Sequence, residues 1–147
     1  MPAVPGTRVH AFADTAPLAR SLARALGVGA STVHLHHFPD GESLVRARPP
    51  VGRHAILVRS LHPPNERLIE IVLAADGLRR AGAARVSLVA PYLPYMRQDR
   101  VFAIGEPISQ QVVGGWLGQS FDAVITVEAH LHRIRRLGQV VPAHAAS

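Results

Sequence analysis

Three small groups of residues carry the types and spacings that could do chemistry. The first is Arg97-Gln-Asp-Arg100, four polar side chains in a row inside a loop framed by Pro91 and Pro107. Two guanidinium forks so close together suit the oxygens of a polyphosphate, and Gln98 between them could bond a base or a ribose. The second is Glu128 with His130. A spacing of two places both side chains on the same side of extended backbone. A carboxylate and an imidazole so placed could hold a divalent ion or its water shell, magnesium preferring the oxygen. The third is Phe38-Pro-Asp-Gly-Glu42, where an aromatic ring and two acids, Asp40 and Glu42, flank Gly41 and could clasp a purine. Each group also has a plainer reading. The quartet could be a solvated connector, Glu128 and His130 could simply bond each other, and Asp-Gly turns are ubiquitous.

The surrounding elements must bring these groups to one edge. Thr7–Phe12, Thr32–Phe38, Glu42–Ala47, His54–Val58, Arg85–Ala90 and Asp122–Glu128 read as strands, apolar or alternating and bounded by turn residues. The second and third are joined by Pro39-Asp-Gly41, which predicts a small flap. Helices are predicted between them. One follows Asp14 or Thr15 as cap, with Leu18, Leu22 and Leu26 along one face and Gly27 as a left-handed stop. A second runs over Glu66–Ala81 behind Asn65, with Leu68, Ile71, Val72, Ala75 and Leu78 on one stripe. A third covers Ile108–Leu117 with Val112, Val113 and Trp116 apolar, weakened by Gly114 and Gly115. Pro142–Ser147 reads as a frayed tail. Strands alternating with helices predict a single α/β domain with a largely parallel sheet, whose strand carboxyl ends share the rim where ligands bind.

Composition narrows the chemistry. The chain of 147 residues has no cysteine, which excludes thiolate catalysis and thiol-ligated metal. All 16 basic residues are arginine, so lysine Schiff-base and P-loop chemistry are excluded too. A formal charge of +6 suits anionic partners, but the arginines are scattered and only 5% of residues are aromatic, which makes nucleic acid a poor candidate partner. His34, His36 and His37 read as flap or interface histidines, and His132 with Arg133, Arg135 and Arg136 as a solvated helix face. The first residues lack a signal-peptide pattern and no apolar run approaches the roughly 20 residues of a membrane span, so a soluble cytoplasmic protein is expected.

Taken together, Phe38-Pro-Asp-Gly-Glu42, the helix start Asn65–Glu70, Pro91-Tyr-Leu-Pro-Tyr-Met-Arg-Gln-Asp-Arg100, Glu106-Pro-Ile-Ser109 and Val127-Glu-Ala-His130 resemble the amino-terminal half of the ribose-phosphate pyrophosphokinase family. The resemblance runs from about Arg8 to Leu137. It implies a phosphoribosyltransferase-like α/β domain with a β flap, one of two joined in tandem. It also implies an enzyme that moves a pyrophosphoryl group from magnesium–ATP to the 1-hydroxyl of ribose 5-phosphate. On this resemblance Phe38, Asp40 and Glu42, around Gly41, contact adenine across a subunit interface, which makes a homo-oligomer the expected state. Arg97 and Gln98 hold ATP with Asp99 and Arg100 in the same loop, and His130 serves the magnesium site beside Glu128.

This sequence departs from the family pattern in three places. Glu128 stands where aspartate is usual. The loop Val101–Glu106 is short and apolar, as in archaeal-type members. No residue matches the lysine loop or the sugar-phosphate signature of the family's second half. The expectation is therefore an ATP-binding half that is inactive alone, binding ribose 5-phosphate only if the other half is supplied. The alternative is a non-catalytic assembly or regulatory module that pairs with full-length relatives.

Overall fold

Five-residue apolar runs build the centre of the molecule because strands buried on both faces need no polar alternation. In the computed structural model, which describes residues 5–127, 136–142 and 144–146, strands β1 (Thr7–Ala11), β2 (Gly29–Thr32), β5 (His54–Val58), β6 (Arg85–Val89), β7 (Ala123–Ile125) and β8 (His144–Ala146) form one sheet. Its order is β2-β1-β5-β6-β7-β8, and every neighbouring pair is parallel. The remaining strands, β3 (His34–His37) and β4 (Ser43–Arg46), pair antiparallel as a separate hairpin, the expected flap.

Alternate residues of the sheet serve two cores. Helix α1 (Ala16–Leu26) covers one face, setting Ala19 and Ala23 against Val9, Ala11 and Val58. Helices α2 (Pro64–Arg80) and α3 (Ser109–Ser120) cover the other, burying Leu68, Ile71, Leu78 and Leu117 over Ala55, Leu57, Val86, Leu88 and Val124.

Several boundaries differ from the expected ones, each for a local reason. The single strand expected over Thr32–Phe38 is two. Val33 donates to the Ala11 carbonyl at 2.7 Å and is buried, ending β2, and the next residue already belongs to the hairpin. Neither Asp14 nor Thr15 caps α1 through its side chain. Thr15 Oγ1 donates to the Val58 carbonyl at 2.9 Å, and Asp14 pairs with Arg67 at 2.8 Å. The left-handed stop at Gly27 forms as expected, with φ 64°. Leu22 and Leu26 pack against the same core as expected, but Leu18 is exposed, and the small Ala19 and Ala23 are the residues fully buried against the sheet. Asn65 is not the cap of α2 but lies in its first turn, where its Oδ1 accepts the Tyr95 hydroxyl. Val112 is likewise exposed, and Val113 and Leu117 form the buried face of α3. Asp122 lies just before β7, its amide donating to the Val86 carbonyl at 2.9 Å and its Oδ2 accepting from the Val86 amide at 2.8 Å and from Arg79 at 2.9 Å. The tail expected to fray contributes β8, whose backbone pairs with β7.

The two glycines that looked merely destabilising in α3 behave differently. A Cβ on Gly114 would meet the Val140 carbonyl and, at 2.6 Å, Val140 Cγ1, whereas nothing lies within 4 Å of a Cβ on Gly115. Gly114 is therefore where the helix touches the following segment. Gly114→Ala is expected to destabilise by about 1–3 kcal/mol through overpacking, and Gly115→Ala to stabilise by up to about 1 kcal/mol through helix propensity. Urea titrations of the two variants should move in opposite directions.

His10 is buried, and its Nε2 lies 2.9 Å from the Val51 carbonyl. Burial lowers its pKa below the ordinary 6.5, a shift the Val51 contact opposes and nearby Arg8 reinforces. His54 is lowered too, by burial first and then by Arg85. For both, the unfolded chain binds the proton more readily. The stability they confer is whole above about pH 6.5 and is lost as pH falls below it, at up to about 1.4 kcal/mol per pH unit for each proton taken up. The urea midpoint at pH 5.5 should lie below that at pH 7.5, and less so in His10→Gln.

Candidate functional site

The carboxyl ends of β6 and β7 are neighbours. Val89 pairs with Ile125, and the Ala90 amide donates to the Ile125 carbonyl at 2.9 Å. The 91–107 loop thus starts beside the point where the chain leaves β7. Glu128 and His130 follow three and five residues after Ile125, and both lie outside the described residues.

The loop is anchored from beneath and exposed on top. Leu93 and Met96 are buried in the main core. The buried side chain of Gln110 donates from Nε2 to the Met96 carbonyl at 2.8 Å, and its backbone amide donates to the Gln98 carbonyl at 3.1 Å. Ser109 Oγ donates to Gln98 Oε1 at 2.5 Å, which fixes the Gln98 amide group and leaves its Nε2 as a donor. Arg97 and Arg100 are exposed, Asp99 is half-buried, and Arg100 lies 4.7 Å from the Phe102 ring centre. Glu106 closes the far end, accepting the Phe102 and Ala103 amides at 3.0 Å each. The loop backbone is thus tied down from below, while the Arg97 and Arg100 side chains stand exposed above it.

The hairpin turn is equally defined. The Phe38 amide donates to the Glu42 carbonyl at 2.8 Å, and the Glu42 amide donates to Asp40 Oδ1 at 3.1 Å. Gly41 has φ 92°, a conformation that glycine alone adopts without strain. Phe38 is exposed and meets the His36 ring edge-on at 4.8 Å.

Beneath the hairpin is a buried polar junction that sequence reasoning missed. Glu70 of α2, only 1% exposed, accepts from His37 Nε2 at 2.6 Å, from Ser43 Oγ at 3.0 Å and from Arg59, itself buried with its guanidinium 3.8 Å above the Phe12 ring. Burial pushes the Glu70 carboxyl up, but the bonds from His37, Arg59 and Ser43 outweigh it and leave the pKa below 4.5. The only signal in the sequence was positional, since Glu70 stands four residues before the buried Ala74 on α2.

The hollow beside the hairpin does not include the quartet. Gly41 and Glu42 line a hollow of about 580 Å³ with Ser43, Asn65, Glu66, Ile69 and Leu73, and none of Arg97–Arg100 takes part. The link between them is Asn65, which lines the hollow and accepts the Tyr95 hydroxyl two residues before Arg97. Among the described residues no group of three or more His, Asp and Glu is placed to hold a metal ion.

A doubly wound parallel sheet with an antiparallel hairpin beside its carboxyl edge defines the phosphoribosyltransferase-like class of α/β domains. Residues 7–120 match the family model described as the N-terminal domain of ribose phosphate pyrophosphokinase, and the chain belongs to that family. It is 37% identical over 123 residues to a ribose-phosphate pyrophosphokinase of Methanopyrus kandleri, a match covering 83% of this chain and 42% of that protein. With the Pyrococcus abyssi enzyme of the same name it shares 42% identity over 99 residues, covering 67% of this chain and 34% of the relative. Phosphoribosylpyrophosphate synthetase from Mycobacterium smegmatis superposes with a TM-score of 0.78 at 25% identity, over 97% of this chain and 47% of that one. The chain spans less than half the length of the relatives it matches.

Proposed function

We propose that this domain is the ATP-binding half of a ribose-phosphate pyrophosphokinase, which holds magnesium–ATP while a pyrophosphoryl group passes to ribose 5-phosphate. The observation that carries the reading is the anchored loop, with Gln98 fixed by Ser109 and Gln110 and with Arg97 and Arg100 exposed at the carboxyl edge of β6. In this reading Arg97 and Arg100 neutralise the triphosphate and Gln98 Nε2 donates to the nucleotide, with Asp99 beside them. Glu128 and His130 serve the magnesium, which supplies charge neutralisation at the transferred phosphates. Phosphoryl-type transfer needs positioning and charge stabilisation more than a covalent catalyst. Arg97 is thus a clamp and no residue here acts as base.

Phe38, Asp40 and Glu42 receive adenine from a neighbouring copy, a reading supported by the quartet taking no part in the hollow that Gly41 and Glu42 line. Ribose 5-phosphate requires a second site that no residue of this chain matches, so the 147-residue chain is expected to bind magnesium–ATP and to form no product from ATP and ribose 5-phosphate. A coupled product assay checks this, and robust turnover by the chain alone would refute it.

A second reading, an assembly module, is favoured by the exposed Leu44, Ile69 and Leu73 on the hairpin and α2. It predicts a dimer whose thermal unfolding ignores ATP. Among the described residues no helix is long and apolar enough to cross a membrane.

A further inference from the structure

The strand order of the main sheet reverses between β1 and β5. The chain goes outward from β1 to β2 and then returns past β1 to β5, β6 and β7. In open parallel sheets the crevice at such a reversal, beyond the carboxyl ends of the strands, is the place the fold itself opens for a ligand. Here that crevice is not the 91–107 loop, which lies one strand further on. It is a separate cavity of about 540 Å³, bounded by Phe12 and Asp14 after β1, Thr32 at the end of β2, Arg59 after β5, Arg67 in the first turn of α2, and Arg48 after the hairpin. Its volume is within the range of small-molecule sites.

The lining is cationic and one of its donors is unused. Arg59 is only 4% exposed, yet its Nε makes no hydrogen bond, and the Asp14 carboxylate stands off at 4.0 Å. A buried guanidinium N–H without an acceptor is costly, and such groups are rarely left so unless something else fills the role. The other face of this guanidinium is committed to Glu70 and to the Phe12 ring. Arg67 contributes a second guanidinium, held by Asp14 at 2.8 Å and by the Ser60 carbonyl at 2.7 Å. Arg48 adds an exposed third, and Thr32 a hydroxyl.

We infer that this switch-point cavity binds the phosphate group of a small phosphorylated molecule, with Arg59 Nε, Arg67 and Arg48 as donors and Asp14 as the carboxylate that the phosphate displaces. Three forks around one cavity suit a tetrahedral dianion. The site uses no residue of the proposed nucleotide loop, so it stands or falls independently of that reading.

The Arg59 Nε–H resonance in a proton–nitrogen correlation spectrum reports directly on the unused donor. Titration with inorganic phosphate, and separately with glycerol 3-phosphate, should shift it saturably. Tighter binding of the ester marks a phosphorylated metabolite as the ligand, and equal binding marks free phosphate. Arg48→Ala, an exposed position whose loss should not disturb folding, is expected to weaken binding roughly 5- to 20-fold. Asp14→Asn removes the competing carboxylate and is expected to tighten binding severalfold, an effect that a purely structural Asp14 would not produce. Arg97→Ala should leave the phosphate titration unchanged. An Arg59 resonance that stays fixed up to tens of millimolar of both probes would overturn the proposal, as would shifts equally large in Asp14→Asn and Arg48→Ala.

Discussion

Replacing Glu70 with alanine is expected to lower the stability of the domain by about 3–5 kcal/mol, the usual consequence of leaving a buried charge without its partner. Arg59 would remain buried, and His37 and Ser43 would lose their common acceptor. For a chain of this length the loss corresponds to a fall of roughly 6–20 °C in the thermal midpoint. Glu70→Leu combined with Arg59→Met should recover most of it, because a well-packed apolar pair can replace a buried ion pair at little cost. Such a rescue would show that the penalty comes from the orphaned guanidinium and not from the missing carboxylate as such. Because the Glu70 pKa is depressed, the stabilisation is whole above about pH 4.5 and disappears as pH falls through the lower folded value. The hairpin carrying Asp40 and Glu42 is tied to α2 by the same carboxylate, so Glu70→Ala should also raise amide exchange across 38–43.

The second large effect concerns nucleotide. If the exposed guanidinium groups of the 91–107 loop grip a triphosphate, magnesium–ATP at 100 times its dissociation constant should stabilise the folded chain by about 2.7 kcal/mol. Arg97→Ala is expected to remove most of that gain while leaving the ligand-free midpoint within about 0.5 kcal/mol, as befits an exposed side chain. Arg97→Lys should restore only part of it, since a point charge does not reproduce a bidentate fork. Ser109→Ala acts at one remove. It frees the Gln98 amide without touching the cations and should weaken binding less than Arg97→Ala does.

The architecture was legible in the sequence where burial is periodic. The apolar runs of β5 and β6, the stripe Leu68, Ile71, Ala75 and Leu78, the Asp40-Gly41 reversal and the Gly27 stop all announce their structure through spacing or backbone chemistry. What could not be read were contacts between residues distant in the chain. Thr15 and Asn65 look like helix caps because capping residues have the right chemistry, but a carbonyl of β5 and the hydroxyl of Tyr95 compete for them. On α1 the leucine spacing marks the packed side through Leu22 and Leu26, but Ala19 and Ala23 are the residues fully buried there and Leu18 is exposed, because alanine allows closer approach to the sheet. Gly114 differs from Gly115 only through Val140, twenty-six residues on.

The same limit applies to the candidate site. The quartet Arg97–Arg100 and the turn Phe38–Glu42 are contiguous, and motif reading finds contiguous groups. The Arg59–Glu70–His37 junction and the switch-point cavity are assembled from five different stretches of chain, and only the topology brings them together. A parallel sheet converts sequence order into a shared rim, so residues following β1, β2 and β5 can line one cavity although they are tens of positions apart.

The most direct test of the nucleotide reading is a residue-resolved titration of the uniformly nitrogen-15-labelled chain with magnesium–ATP, followed by proton–nitrogen correlation spectra. The account predicts saturable shifts concentrated in 95–100 and 109–110, with 38–42 joining them at concentrations where copies associate. Saturable binding that leaves 95–100 unmoved, or no saturable binding at millimolar nucleotide, would contradict it.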